Sequence, residues 1–170
     1  MTLITEEYRE MQAELHKNPE YGVASKFYAP IVDQVIGEYQ IKELLDYGAG
    51  KCRLRDSLTH EVKYTPYEPS NPEWSNTPEP CELVTCIDVL EHIEPELLDN
   101  VLDDLKRCVL KYGLFTIHTG AAVKILPDGR NAHLTQEPWE WWQVKLLNRF
   151  NIIKHINIGN GIVVLVKIKD

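Results

Sequence analysis

The segment Ile41–Lys51, IKELLDYGAGK, constrains the fold more than any other part of the chain. A short apolar run that passes directly into an acid and two glycines is the pattern of a buried parallel strand leaving its sheet through a tight turn. A side chain at Gly48 or Gly50 would block a ligand lying against that turn, and Asp46 stands at its base.

The rest of the chain alternates in the same manner. Glu61–Tyr67 reads as a second strand ending at Glu68, Cys81–Ile87 as a third buried strand ending at Asp88, and Gly113–Thr119 as a fourth. Helical spacing appears in Arg53–Leu58, in Glu96–Val109 with Leu97, Leu98, Val101, Leu102 and Leu105 inward, and in the aromatic stretch Pro138–Phe150. Asn151–Ile158 and Ile162–Ile168 flank Gly159-Asn160-Gly161, a hairpin signal. The expected fold is therefore α/β, a Rossmann-like and mostly parallel sheet with helices on both faces and a C-terminal antiparallel hairpin. Residues 1–40 precede it as a helical layer, with Leu3, Tyr8, Met11 and Leu15 on one apolar face and Phe27, Ile31, Val35 and Tyr39 on another. The 170 residues suit a single domain, with residues 41–170 as its core.

Charge and cysteine content narrow the function classes. A net charge of -8 repels a phosphate backbone, so nucleic acid is not the favoured partner, although Lys51, Arg53 and Arg55 cluster after the glycine turn. No run approaches the roughly 20 apolar residues of a membrane span, and the acidic start MTLITEEYREMQAEL is unlike a secretory signal, which points to the cytoplasm. Cys52, Cys81, Cys86 and Cys108 are scattered through apolar segments as reduced, buried thiols would be. Cys81 and Cys86 lack neighbouring ligands, so no metal site is expected.

In an open α/β sheet the ligand lies beyond the C-terminal ends of the strands. An acid at the base of the first glycine turn disfavours phosphate and welcomes an ammonium. The turn is no Walker A loop, because Leu45 stands at the first glycine's place and Cys52 at that of the hydroxyl. Nor is it a dinucleotide fingerprint, since GxGxxG fails at Arg53. Glu68, 22 residues beyond Asp46, has the spacing of an acid that accepts both ribose hydroxyls. A ligand with adenosine, an amino-acid cation and no phosphate fits these groups, which describes S-adenosyl-L-methionine.

LLDYGAGK resembles the first motif of the class I, Rossmann-like S-adenosylmethionine-dependent methyltransferases, YEPS is similar to their second, and CELVTCIDVLEHIEP to their fourth in its DVLEHI form. The resemblance covers roughly Tyr39–Asp170. It implies that Asp46, Tyr47, Gly48, Ala49 and Gly50 hold the methionine end, that Glu68 and Pro69 hold the ribose, and that Ile87 and Asp88 line the methyl-donor cleft. Two departures stand out. Cys52 replaces the third glycine of the first motif, and only the dozen residues Asn71–Glu82 remain for the family's usual helix and third strand, which are expected to be missing or shortened. Trp74, in that shortened stretch, is a candidate to stack on adenine.

Methyl transfer from a sulfonium is helped most by positioning and by removal of the acceptor's proton. His92, His118 and His133 lie near expected strand exits. His92 reads as an orienting residue of its motif in preference to a catalytic one, and His118 as a core or edge histidine. The polar loop PDGRNAHLTQEPWEWW makes Arg130, Asn131 and His133 the catalytic or acceptor-contacting candidates, with Trp139, Trp141 and Trp142 as packing residues or a wall of the acceptor pocket. The chain has no [DNS]PP[YFW] tetrapeptide and no Pro-Cys nucleophile leaving a strand, which disfavours nucleobase methylation. The leading expectation is methyl transfer to an oxygen or nitrogen of a small-molecule acceptor. Beside it stand a cofactor-binding regulatory or partner-binding domain without transfer activity, and a macromolecule methyltransferase using the basic cluster. The open sheet edge left by a missing third strand would allow a homodimer.

Overall fold

The computed structural model describes all 170 residues, Met1–Asp170. Its sheet is centred on β3 (Cys81–Ile87), with β1 (Glu43–Tyr47) on one side and β4 (Val109–His118) on the other, all three parallel. β2 (Lys63–Tyr67) adds a further parallel strand beyond β1 and forms one edge, where Pro66 is tolerated because a missing N–H costs least there. β5 (Phe150–Ile158) and β6 (Gly161–Ile168) close the other side as an antiparallel hairpin, giving the order β2-β1-β3-β4-β6-β5. The hairpin turns at Gly159-Asn160, with Gly159 at φ 58 as a two-residue loop requires.

Helices cover both faces. α2 (Ala24–Tyr39) and α3 (Arg53–Ser57) pack through Val32, Ile36 and Leu54 against Leu44, Leu83 and Leu114. α4 (Leu98–Cys108) and α5 (Trp139–Leu147) cover the opposite face through Leu102, Leu105, Trp142 and Leu146. Trp142 is fully buried and its indole N–H donates to the Glu137 carbonyl at 3.1 Å, so it serves the core. Fully burying a side chain of this apolar kind contributes about 1.5–3 kcal/mol, and the two faces together supply most of the drive to fold.

The family's usual third strand is missing, as the short Asn71–Glu82 stretch implies: residues 68–80 contain neither helix nor strand, and the chain passes through turns directly from β2 to β3. Two expectations about the N-terminal region need correction. The buried face of α2 is Tyr28, Ala29, Val32, Val35 and Ile36, whereas Phe27 is 66% exposed. The phase is shifted by one residue because Tyr28 and Ala29, not Phe27, meet the sheet. Residues 1–40 also do not form one layer. α1 (Glu6–Leu15) leaves α2 on the sheet and packs Tyr8 against Leu126 and Ala132 of the long β4–α5 connection. All four cysteines are buried and free, in accord with the sequence expectation. No helix is long and apolar enough to cross a membrane.

Candidate active site

The C-terminal ends of β1, β2 and β3 open into a cavity of about 400 Å³. Asp46, Tyr47, Gly48, Ala49, Gly50, Glu68, Pro69, Ile87 and Asp88 all line it. The turn after β1 is held over the end of β2 by the Gly48 and Ala49 N–H groups, which donate to the Tyr67 carbonyl at 2.8 and 2.9 Å. Gly48 sits at φ 82 and Gly50 at φ 54, so both use glycine's freedom. Cys52, where the family motif has a third glycine, also adopts the left-handed region at φ 56 while remaining buried. The backbone requirement thus survives the substitution.

Asp46 is buried, with Tyr64 donating to Oδ2 and Thr85 to Oδ1. Burial outweighs these hydrogen bonds and pushes its carboxyl up to about 6. Glu68 accepts the Gly50 N–H at 3.0 Å on one oxygen and the Ser70 N–H and hydroxyl at 3.1 and 2.7 Å on the other. It thereby ties the first glycine turn to the exit of β2. Asp88 is left-handed at φ 50 and its Oδ1 accepts the Thr116 hydroxyl at 2.7 Å; burial raises its carboxyl. A non-glycine residue in that region costs on the order of 1–3 kcal/mol, and such outliers cluster at working sites. The Tyr47 hydroxyl points away from ligand chemistry and donates to Asp104 at 2.8 Å.

The cavity has a wall that the sequence does not announce. Tyr8, Gln12 and His16 of the N-terminal region and Tyr21 of the α1–α2 connection complete it. Gln12 Nε2 and His16 Nδ1 are buried there without a hydrogen-bond partner. A volume of this size lies in the range of small-molecule sites. Trp74 lies outside this cavity, in a neighbouring depression that shares Gly50 and Glu68 with it.

Beside the cavity, which His92 lines and His118 and His133 do not, the three histidines converge. The His133 ring is 4.8 Å from that of His92 and 4.7 Å from that of His118. His133 Nδ1 lies 2.7 Å from the Gly120 carbonyl, which can only accept, so Nδ1 carries the proton and Nε2 keeps its lone pair. Burial holds His92 down at about 4 and also lowers His133, so both rings are neutral at neutral pH. Glu91 is fully buried beside them, and burial followed by the Asp88 charge raises its carboxyl well above the ordinary range.

Arg130 and Asn131 do not join this group. Arg130 pairs with Asp128 at 2.7 Å and lies over the Tyr8 ring. The Asn131 amide spans the loop, accepting from Ala122 N–H and His133 N–H at 2.9 Å each and donating to the Ala122 carbonyl at 2.9 Å. Two members of the basic cluster are engaged within the chain, Lys51 donating to the Tyr21 carbonyl and Arg55 paired with Asp56.

No family model matches the sequence, and no curated protein matches it either. Solved structures do match the fold. The 1,6-didemethyltoxoflavin-N1-methyltransferase of Burkholderia thailandensis, crystallised with bound 1,6-didemethyltoxoflavin and S-adenosylhomocysteine, is 13% identical with a TM-score of 0.69, covering 100% of this chain and 93% of that one. The N-methyltransferase NodS of Bradyrhizobium japonicum WM9, crystallised with S-adenosylhomocysteine, is 10% identical with a TM-score of 0.67, covering 95% and 99%. The 16S rRNA methylase ArmA is 17% identical with a TM-score of 0.56, covering 94% and 89%. The chain therefore has the fold of the class I, Rossmann-like methyltransferases. Structures of this fold serve small-molecule and RNA acceptors alike.

Proposed function

We propose that this chain is an S-adenosylmethionine-dependent methyltransferase acting on an oxygen or nitrogen of a small-molecule acceptor. One observation carries the reading: the nine residues singled out at three strand exits line a single cavity. Their chemistry fits the cofactor. The glycine turn and Asp46 would hold the methionine end, Glu68 and Pro69 the ribose, and Ile87 and Asp88 the region of the reacting methyl group. Bound there, the cofactor supplies a methyl group already activated on sulfur.

The protein's own contribution is then position and exclusion of water. α1 closes the outer wall through Tyr8, whose hydroxyl donates to the His92 carbonyl at 2.6 Å. His133 stands beside His92, which lines the cavity, and its unprotonated Nε2 is able to take up a proton or a cation. Arg130 and Asn131 support the loop that carries it. The net charge of -8 favours a small molecule over an RNA backbone.

Calorimetric titration with S-adenosylmethionine and S-adenosylhomocysteine tests the reading. Micromolar binding is expected for the wild type and is lost in Asp46→Ala and Glu68→Ala. Absence of binding by the folded wild type would sink it.

A further inference from the structure

We propose that Glu91, His92 and His133 form a binding site for a divalent first-row transition-metal ion in the wall of the cleft. Glu91 and His92 belong to the 3₁₀ turn Leu90–His92 that follows β3, and His133 comes from the β4–α5 connection. One donor atom from each lies within 4.8 Å of the other two. Metal–ligand bonds of about 2.0–2.2 Å place two ligands at a tetrahedral angle about 3.4 Å apart, so metal entry draws the widest pair in by roughly an ångström or more. Rotation of a loop-borne imidazole supplies that movement.

Two further observations point to an occupant. Glu91 Oε2 and His92 Nδ1 are both buried with no hydrogen-bond partner, although Glu91 is fully inaccessible to solvent. A buried carboxylate oxygen and a buried imidazole nitrogen left unpaired together are costly, and a cation satisfies both at once.

The supporting groups are arranged as a metal site requires. The Nδ1–H of His133 is held by the Gly120 carbonyl at 2.7 Å, which turns its Nε2 lone pair outward as the ligand. The other oxygen of Glu91 accepts the His118 N–H at 3.1 Å, which fixes the carboxylate. Two imidazoles and one carboxylate suit manganese to zinc better than magnesium, and three protein ligands leave positions open. His92 lines the cavity with Asp88, so the open positions adjoin the cleft. Resting on the methyl-transfer reading, this assigns an oxygen acceptor, a hydroxyl whose proton a metal makes easier to lose.

The test uses the full-length chain, stripped with chelator and titrated with cobalt(II) at neutral pH. Visible d–d absorption saturating at one equivalent and abolished by zinc is expected. His133→Asn and Glu91→Gln should each weaken cobalt binding by at least about tenfold, while His155→Asn, on the far hairpin, leaves it unchanged. Because Glu91 is in the core, circular dichroism must show each variant folded, and His133→Asn, which alters a loop residue, stands as the decisive variant. No cobalt spectrum from the folded wild type, or a spectrum indifferent to His133→Asn, overturns the proposal. A parallel S-adenosylhomocysteine titration separates the two readings: cofactor binding without cobalt binding removes only the metal, and cobalt binding without cofactor binding removes only methyl transfer.

Discussion

Glu94 grips Thr5 with both carboxylate oxygens, one accepting the Thr5 N–H at 2.9 Å and the other its hydroxyl at 2.8 Å. Thr5 is also the N-cap of α1, where its hydroxyl oxygen accepts the Tyr8 N–H at 3.2 Å. One residue therefore starts the helix and fastens it beside the candidate cleft. Thr5→Ala should cost about 1–2 kcal/mol in urea unfolding, the magnitude of a lost cap. It should also speed S-adenosylhomocysteine release severalfold in stopped-flow, while Thr5→Ser leaves both nearly unchanged. A release rate unaffected by Thr5→Ala would show that α1 does not retain the ligand.

The two glycines of the turn should respond unequally to substitution. A Cβ at Gly48 would run into the Val89 side chain, at φ 82, whereas at Gly50 the nearest atom is the His16 ring at 3.4 Å. The left-handed backbone alone costs about 1–2 kcal/mol at either position. Gly48→Ala adds overpacking on the order of 1–3 kcal/mol and should abolish cofactor binding. Gly50→Ala should bind more weakly and stay folded. Adding Val89→Ala to Gly48→Ala should return part of the lost stability, as thermal unfolding of the three variants would show.

The strands that build the cavity were legible because their apolar runs stop at acids and glycines. The apolar run Cys81–Ile87 has the same bounds as the strand it forms, and the lack of a third strand follows from the length of Asn71–Glu82. α1's place at the cleft was not legible. Its apolar stripe says only that it packs somewhere, and the bonds that dock it join Thr5 to Glu94 and Tyr8 to His92 across 89 and 84 residues. The grouping of Glu91 and His92 with His133 is illegible in the sequence for the same reason, since the loop that brings them together has no periodicity to follow. The one-residue error in α2 came from an ambiguous stripe in which Phe27 and Tyr28 are both apolar.

Tyr47 lines the cavity, yet its hydroxyl is committed to Asp104, which also receives Arg107 at 2.8 Å. Asp104 is nearly inaccessible to water, so deleting one donor leaves its carboxylate short of a partner. Tyr47→Phe should therefore cost about 1–3 kcal/mol of stability and leave S-adenosylhomocysteine affinity within about twofold. A large loss of affinity with unchanged stability would place the hydroxyl on the ligand instead.

Asp46 makes stability and binding pull in opposite directions. Its carboxyl is pushed from 3.8 up to about 6 by burial, so the native state holds a proton that the unfolded chain has released. The sign follows directly: the stabilisation from that proton is complete below about pH 4 and disappears as pH rises through about 6. A shift of this size is worth about 3 kcal/mol across the window. Asp46→Asn cannot ionise, and its amide can still accept from Tyr64 while Thr85 turns its hydroxyl toward the Leu45 carbonyl at 3.4 Å. Because Asp88 and Glu91 are also raised, the wild-type curve alone would mix their contributions with that of Asp46. The difference between variant and wild type isolates it. In the absence of ligand, that difference should move in the variant's favour by about 2–3 kcal/mol between pH 4 and pH 7, measured by urea unfolding at each pH. Cofactor affinity should fall about tenfold in the same variant, because the charge that burial penalises is the one proposed to meet the ligand's ammonium. A flat difference curve would mean that Asp46 is not destabilised by burial, and the strain attributed to this site would have to be sought in Asp88 and Glu91.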